Sequence, residues 1–413
     1  MAAEVHVEAL RTEDRGRSLR VQWRVAGHPR GADRNGVQFV EVPAETAEWL
    51  AIRGRGDDLH DALLRATVWS AMEAGGSLTV HGRVSRALLA NLERYQEIVC
   101  RWWPAYRPAG LRADEEVADE RAAALVGSPG RTAEAVLAFS GGLDSAESLA
   151  AHARGARGRN SLDVRTCVFV HGFDVARDDP AFELAAARAR ALAARSGARL
   201  LTVRSNLKET LPRWETTFSA ALGAVLSLFE RRFAAGLLAA STAYENVHWI
   251  ASGDGSTPLT DPLLSSSTFR LVLDLASTRV EKTERLALEG DVWRNLRVCW
   301  EGHDASGNCG RCEKCVRQML CMRACGVADF SAFANPLTPA AVRAVELPMA
   351  VVEEEWRRCY EKAAERGLAG DPVFVAMREV LERAPDGLRR AVGSRVRRLR
   401  LRVGRRLRRM GVT

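Results

Sequence analysis

Several features that would assign this 413-residue chain to a special class are missing from it. No Gly-Lys-Ser/Thr sequence occurs, which excludes the Walker type of phosphate-binding loop. No run approaches the about twenty uninterrupted apolar residues that a membrane-spanning helix needs. The N-terminus carries acidic residues from Glu4 onward, where a secretory signal would have an apolar segment. We therefore expect a cytoplasmic protein.

Lysine is scarce as well. It occurs at four positions among the 60 basic residues, namely 208, 282, 314 and 362. Arginine serves equally well for solubility, but the compact ammonium of lysine and the planar guanidinium of arginine are not interchangeable at a phosphate. Each lysine is therefore a candidate for a specific role.

The positive charge is unevenly distributed. The formal net charge is +8, yet eleven arginines and no acidic residue lie between Arg389 and Thr413, so the body of the chain is slightly acidic. With 47% hydrophobic and 27% charged residues, the composition is that of an ordinary globular protein of two or three domains. The bulk composition gives no indication of a nucleic-acid-binding body.

The most informative segment is Ser-Gly-Gly-Leu-Asp-Ser at residues 140–145. It follows the apolar run 135–139, which predicts a buried strand, and precedes the helix-forming stretch 146–153. The glycines allow a tight turn that brings amide N–H groups close to an anion, and the start of the helix adds unpaired N–H donors. The aspartate offers a carboxylate to the helix start or to Mg²⁺. The predicted phosphate-binding residues are Ser140, Gly141, Gly142, Leu143, Asp144 and Ser145.

From residue 135 onward, predicted strands alternate with predicted helices. The strands are predicted at residues 135–139, 165–171, 198–203 and 247–252, and the helices at residues 146–153, 180–196 and 216–240. Such alternation favours parallel pairing through helical crossovers, and hence a doubly wound α/β sheet. Ligands of such sheets bind at the carboxyl ends of the strands. We therefore expect the segments that follow these strands to line one crevice.

Four cysteines form a C-x9-C-x2-C-x2-C pattern, namely Cys299, Cys309, Cys312 and Cys315. Short two-residue spacers present sulfur atoms to one point, which suits tetrahedral Zn²⁺. Disulfides are a poor alternative in a chain without a signal segment. An iron–sulfur cluster, which also takes four cysteines, and a site without metal remain open.

The loop sequence resembles the PP-loop of the N-type ATP pyrophosphatases, which cleave ATP to AMP and pyrophosphate to activate a carbonyl or carboxylate oxygen. Together with a downstream four-cysteine cluster, it resembles the zinc-containing 7-cyano-7-deazaguanine synthase family. The resemblance covers about residues 133–325. It implies a PP-loop/HUP-like nucleotide-binding fold and binding of ATP, Mg²⁺ and Zn²⁺. We expect a divergent relative that acts on a different or larger acceptor.

The resemblance also implies roles for residues outside the loop. A Lys-x-Glu element precedes the cysteines in that family and helps to hold phosphate, and Lys282 stands in the corresponding place. Asp144 and Lys282 are accordingly the expected catalytic residues. The adenine is expected near Val170 and His171, at the end of the second strand. The other substrate would be a carboxylate-bearing small molecule or macromolecular acceptor.

The remaining segments define the expected domain organisation. The strand-like and helix-like patterns in residues 1–130 predict a separate α+β domain of unknown role, which ends in a polar linker at residues 113–132. The PP-loop domain is expected at residues 131–330, and a helical extension at 331–387. Apolar residues in the tail, 388–413, recur at helical spacing with arginines between them. Such a stripe fits an anionic membrane, a nucleic acid or an acidic protein partner, or else a solvated terminus.

Three functions are compatible with these features. The first is an ATP-dependent ligase that adenylates a carboxylate or amide oxygen for attack by ammonia or an amine. The second is a PP-loop sulfurtransferase of the tRNA-thiolating kind, which would use a reactive cysteine or an iron cluster. The third is a non-catalytic nucleotide-binding subunit. The first is favoured, with zinc in a structural role because four thiolates leave no open coordination position.

Overall fold

A computed structural model describes residues 3–50, 59–118, 132–246, 255–299, 307–347 and 349–383. The chain forms two compact units. The first comprises Met1–Ser277 with Asn295–Arg297, and the second comprises Thr278–Arg294 with Val298–Thr413.

The first unit is built on one eleven-stranded sheet. The strands are β1 (Glu4–Ala9), β2 (Glu13–Asp14), β3 (Ser18–Ala26), β4 (Gly36–Pro43), β5 (Ser77–Ser85), β6 (Gly110–Val117), β7 (Thr132–Ala138), β8 (Val164–His171), β9 (Arg199–Ser205), β10 (Phe233–Leu238) and β11 (Arg270–Leu273). Their order is β11-β10-β7-β8-β9-β4-β3-β1-β5-β6, with β2 paired to β3.

Six of the ten strand pairings are parallel, and four are antiparallel. All pairings within β11-β10-β7-β8-β9 are parallel. In this part of the sheet the order reverses at β7, with β8 and β9 on one side and β10 and β11 on the other. The prediction of an α/β protein with a largely parallel sheet is therefore confirmed.

The described residues of the first unit contain six helices. They are α1 (His60–Ala74), α2 (Arg86–Trp102), α3 (Leu143–Ala153), α4 (Ala181–Arg195), α5 (Leu207–Thr210) and α6 (Trp214–Ser227). The crossovers β7-α3-β8, β8-α4-β9 and β9-α6-β10 connect parallel strands, as the alternating sequence pattern predicts. Residues 135–137 and 166–170 are buried without alternation, which is typical of strands covered on both faces.

The division between residues 1–130 and the loop-bearing segment differs from the prediction. Strand β4 pairs with β9, so that Val40 lies opposite Ser205 and Glu41 opposite Arg204. The leading strands therefore extend the same sheet and belong to the same unit. Residues 113–117 of the predicted linker lie in β6, and residues 119–131 lie outside the described part of the chain.

The stretch 216–240 was predicted as one helix. In the structure α6 ends at Ser227, and β10 follows at Phe233–Leu238. The alanines and leucines of β10 favour helix locally, but Gly236 permits a close approach by its neighbours. A methyl group added to Gly236 would lie 2.8 Å from the Leu271 side chain and 2.9 Å from that of Phe269. The predicted strand at 247–252 lies outside the described residues.

The second unit is helical in its described part. Its helices are α7 (Arg279–Ala287), α8 (Glu313–Ala324), α9 (Pro339–Arg343), α10 (Ala350–Glu365) and α11 (Pro372–Glu382). Buried ion pairs join three of them, since Glu355 of α10 lies 3.2 Å from both Arg279 of α7 and Arg317 of α8. The predicted extension 331–387 therefore shares a unit with the cysteine-bearing segment.

The predicted basic tail, 388–413, lies outside the described residues. Among the residues that are described, each helix is too short or too polar to cross a lipid bilayer.

Candidate functional sites

The loop at residues 140–145 leaves the sheet at the carboxyl end of β7. The last sheet contact is made by Phe139, whose N–H donates to the Val168 carbonyl oxygen at 2.8 Å. The chain then turns at Gly141, where φ is +72°, a left-handed conformation that favours glycine. Helix α3 begins two residues later, with Gly142 at its N-cap position. The structure therefore has the strand–turn–helix arrangement that the sequence predicts.

Hydrogen bonds within the loop fix its shape. The Gly142 N–H donates to the Ser140 hydroxyl, and the Ser145 hydroxyl donates to the Gly142 carbonyl oxygen, both at 3.3 Å. Leu143 and Ser145 are buried, whereas Ser140, Gly142 and Asp144 are partly exposed. Because Gly142 has no side chain, it cannot cap the first-turn amides of α3 in the way that serine or aspartate does. Helix starts of this kind favour anions through their amides and dipole.

A second chain segment supports the loop from within the same unit. The Arg297 N–H donates to the Gly141 carbonyl oxygen at 2.9 Å. A methyl group added to Gly142 would lie 3.2 Å from the Arg297 carbonyl oxygen, and one added to Gly141 would lie 3.4 Å from the Ala189 side chain on α4. The glycines therefore allow a tightly enclosed backbone, in addition to the turn itself.

The predicted adenine-site residues lie at the end of the neighbouring strand, β8. Val170 is buried, with 3% of its surface exposed. The His171 ring stacks on Phe182 at a centroid distance of 3.9 Å, and its Nε2 lies 2.9 Å from the Ala176 carbonyl oxygen. Burial lowers the pKa of His171. Since β7 and β8 are adjacent and parallel, their carboxyl ends lie on the same sheet edge.

The four predicted metal ligands come together in the second unit. The ligand atoms of Cys299, Cys309, Cys312 and Cys315 all lie within 4.8 Å of one another, and all four residues are buried. The Sγ–Sγ distance is 3.8 Å between Cys299 and Cys312 and 4.0 Å between Cys309 and Cys315. Tetrahedral zinc with Zn–S bonds of about 2.3 Å places its sulfurs ~3.8 Å apart. The sulfurs therefore fit a single tetrahedral ion, whereas a cluster of several irons would spread them around a larger centre.

The backbone around the cysteines is arranged for thiolate ligands. The N–H groups of Arg311 and Cys312 point to the Cys309 Sγ at 3.4 and 3.3 Å. Gly310 has φ +67°, and a methyl group there would lie 2.4 Å from the Asn335 carbonyl oxygen. Cys312 is the N-cap of α8, so Cys315 lies in its first turn. The turn at Gly310 and the start of α8 therefore position the sulfurs of Cys309, Cys312 and Cys315.

Asn308 links the two ends of the cysteine site. Its Oδ1 accepts hydrogen bonds from the N–H groups of Val298 at 2.8 Å and Cys299 at 3.1 Å. Its Nδ2 donates to the Ala332 carbonyl oxygen at 3.0 Å, and the residue is fully buried. This fixes Cys299 beside the 309–315 turn. No sequence pattern singles out Asn308, because its role arises from backbone groups brought together by folding.

The thiols are too crowded to ionise together without a cation. A hydrogen bond to Cys299 is the main cause that raises the pKa of the Cys312 thiol, to about 12. The pKa of Cys315 is raised as well, first by Cys299 and then by Cys312. Because a metal ion binds thiolates, it would relieve this repulsion. The donor set and its electrostatics thus both fit a metal site.

Comparisons of the chain with protein-family models, with curated proteins and with solved structures find no match. The functional assignment therefore depends on the residues and their geometry.

Lys282, expected to contact phosphate, lies on α7 in the second unit, and 2% of its surface is exposed. The helix begins with a capping box in which the Thr278 hydroxyl accepts from the Glu281 N–H and the Glu281 carboxylate accepts from the Thr278 N–H. The catalytic role of Lys282 therefore stays a prediction. Asp144, the other expected catalytic residue, is in the first turn of α3.

Two cations on the loop side of the first unit were not predicted as site residues. Lys208 of α5 donates from Nζ to the Phe173 carbonyl oxygen at 2.6 Å. The Arg297 guanidinium lies 3.9 Å from the Asp174 carboxylate, in the segment that follows β8. The scarcity of lysine was a signal for Lys208. Arg297 carries no such signal in a chain so rich in arginine.

Proposed function

We propose that the chain is an ATP-dependent ligase of the PP-loop type, which forms AMP and pyrophosphate. It would adenylate a carboxylate or amide oxygen and pass the activated group to ammonia or an amine. The observation that carries this proposal is the glycine-supported turn Ser140–Ser145, held between the carboxyl end of β7 and the start of α3. The reversal of strand order at β7 supports it, because ligands of open α/β sheets bind at such a point.

The chemistry would consist of positioning and charge stabilisation. The substrate oxygen attacks the α-phosphorus, the bond from that phosphorus to the bridging oxygen breaks, and pyrophosphate leaves with the bonding electrons. Ammonia or an amine then displaces AMP from the activated carbon. Backbone N–H groups of the loop and of the first turn of α3 would stabilise the leaving charge. Asp144 would hold Mg²⁺, which neutralises the phosphates when it is bound.

The cysteine site would hold Zn²⁺ in a structural role. Four buried thiolates would fill a tetrahedral coordination sphere and would leave no position for water or substrate. A PP-loop thiolase that uses an iron centre with an open position is less compatible with this arrangement. Metal analysis of the purified protein separates these functions, because stoichiometric zinc favours the ligase, while iron with labile sulfide favours the thiolase.

The ligase proposal is tested by product analysis with radiolabelled ATP and a panel of carboxylic acids. Release of AMP and pyrophosphate, without ADP, is the expected result for the wild-type chain. Asp144→Asn should abolish it. Asp163→Asn is a matched control, because Asp163 is exposed and pairs with Arg165 near the amino end of β8. ADP as the product would refute the reaction class. Full activity of Asp144→Asn would refute the role proposed for Asp144. A wild-type chain that binds ATP but releases no AMP with any of the acids would favour a non-catalytic nucleotide-binding subunit.

A further inference from the structure

The side of the first unit that carries the loop contains two cations close to the same short segment, residues 173–174. Arg297 reaches Asp174 with its side chain, and Lys208 donates to the Phe173 carbonyl oxygen. Both cations belong to the same unit as the loop. The loop itself contains no lysine or arginine. A triphosphate bound there would need positive charge from neighbouring elements.

Arg297 is tied to the loop through its backbone. Its N–H donates to the Gly141 carbonyl oxygen at 2.9 Å, so its guanidinium lies within one side-chain length of the turn. The side chain is nine-tenths buried, with 10% of its surface exposed. Its 3.9 Å separation from Asp174 is an ion-pair distance but too long for a hydrogen bond. Within the described residues, the five N–H donors of this guanidinium make no hydrogen bond.

Lys208 approaches the same segment from the end of β9. In the part of the chain that the structure describes, its ammonium makes one hydrogen bond, to the Phe173 carbonyl oxygen, and lies 5.4 Å from the centre of the Trp214 ring. Burial lowers the pKa of Lys208, an effect that Arg297 increases and Asp174 opposes. The two cations therefore act on each other, although burying like charges together is costly unless anionic groups compensate them.

Asp174 compensates this charge only in part. Half of its side chain is exposed, so solvent weakens its interaction with Arg297. Glu215 also acts favourably on Lys208, but it is exposed. Among the described residues, the nine-tenths buried Arg297 guanidinium donates no hydrogen bond and the Lys208 ammonium donates one. Their remaining donors match the oxygens of an oxyanion better than they match these acids.

We propose that Arg297 and Lys208 form a cationic subsite that holds the pyrophosphate portion of the nucleotide bound at residues 140–145. This inference rests on the proposed function and deepens it. The loop amides bind phosphate oxygens as neutral donors, while Arg297 and Lys208 supply the full positive charges. In this proposal, residues of the first unit supply the charge stabilisation that the family resemblance implied for Lys282.

The test compares the affinities of ATP, inorganic pyrophosphate and AMP by isothermal titration calorimetry on the full chain. The variants are Arg297→Gln and Lys208→Gln. Each should weaken ATP and pyrophosphate binding by about tenfold or more, because each removes charged hydrogen bonds. AMP affinity should stay within about twofold, since AMP lacks the pyrophosphate portion. Arg297→Lys should recover part of the loss for ATP, because it restores the charge without the planar fork.

Arg165→Gln is the matched control, since Arg165 is an exposed arginine near the amino end of β8 and should leave all three affinities unchanged. Unchanged ATP and pyrophosphate binding in both Gln variants would overturn the subsite and leave the ligase proposal standing. Equal losses for ATP and AMP, accompanied by a lower melting temperature, would mean that the two residues act only on stability. A wild-type chain that binds neither ATP nor pyrophosphate would overturn both proposals.

Discussion

Replacement of Asn308 by alanine tests the construction of the cysteine site. The Asn308 side chain satisfies three backbone groups, the N–H of Val298, the N–H of Cys299 and the carbonyl oxygen of Ala332. It is fully buried, so alanine would leave these groups without a partner and without access to bulk water. One of them belongs to Cys299, a proposed metal ligand, so the loss should affect both folding and metal retention.

The magnitude follows from the groups left unpaired. A buried polar group without a hydrogen bond costs roughly 1–3 kcal/mol. Three such groups give an expected destabilisation of at least about 3 kcal/mol for Asn308→Ala. Asn335→Ala is a suitable comparison at the same site. Asn335 is half-buried and makes one side-chain hydrogen bond, to the Cys309 carbonyl oxygen at 2.7 Å. Its loss should cost about 1 kcal/mol.

The assay is urea unfolding of the metal-loaded chain, followed by circular dichroism, together with competition for the metal by a chromophoric chelator. Asn308→Ala should lower the unfolding free energy clearly more than Asn335→Ala and should release metal at lower chelator concentration. Equal effects of the two changes would refute the reasoning, because they would show that the number of unpaired backbone groups does not determine the cost.

Three further predictions concern the loop, a buried carboxylate and the metal. Gly141→Ala should lower the free energy of unfolding by about 1–2 kcal/mol because of its left-handed backbone, and should also impair ATP binding. Gly155→Ala is the control, because Gly155 has a similar φ with open space around it, and this change should lower stability alone. Thermal melts and calorimetry would separate the two effects. Arg157 and His152 hold the pKa of Asp274 well below its ordinary value of 3.8, against the effect of burial. The ionised Asp274 carboxylate therefore stabilises the fold above about pH 4, and this stabilisation is lost as the pH falls further. Asp274→Asn should remove that acid dependence in urea titrations at successive pH values. Removal of the metal with a strong chelator should destabilise the second unit, so that limited proteolysis cleaves residues 307–383 faster. An unchanged cleavage pattern would contradict a structural metal.

The features predicted correctly from the sequence are those set by local pattern. The apolar runs of β7 and β8 are continuous because both faces are covered, and the cysteine spacing by itself brings three sulfurs to one turn. The alternation of strands and helices was sufficient to predict the α/β class. These signals come from short stretches of chain, where residue type and backbone geometry are directly linked.

The features that were missed depend on long-range contacts. Strand β10 is rich in alanine and leucine, and its place between β7 and β11 outweighs its local preference for helix. The pairing of β4 with β9 joins residues more than 160 positions apart, and no local pattern marks it. Arg297 is placed beside the loop by one backbone hydrogen bond to Gly141. Such partners become visible only when the chain is folded.

The pairing of β4 with β9 limits how the protein can be shortened. A shortened chain that began at residue 132 would leave the backbone of β9 unpaired along one side, as an open edge available to other molecules. It would also lose α1, which packs against α6 and whose Arg65 donates from Nε to the Leu264 carbonyl oxygen at 2.6 Å. Such a fragment should self-associate. The described residues of the first 118 are thus a structural part of the first unit and cannot be treated as a removable module.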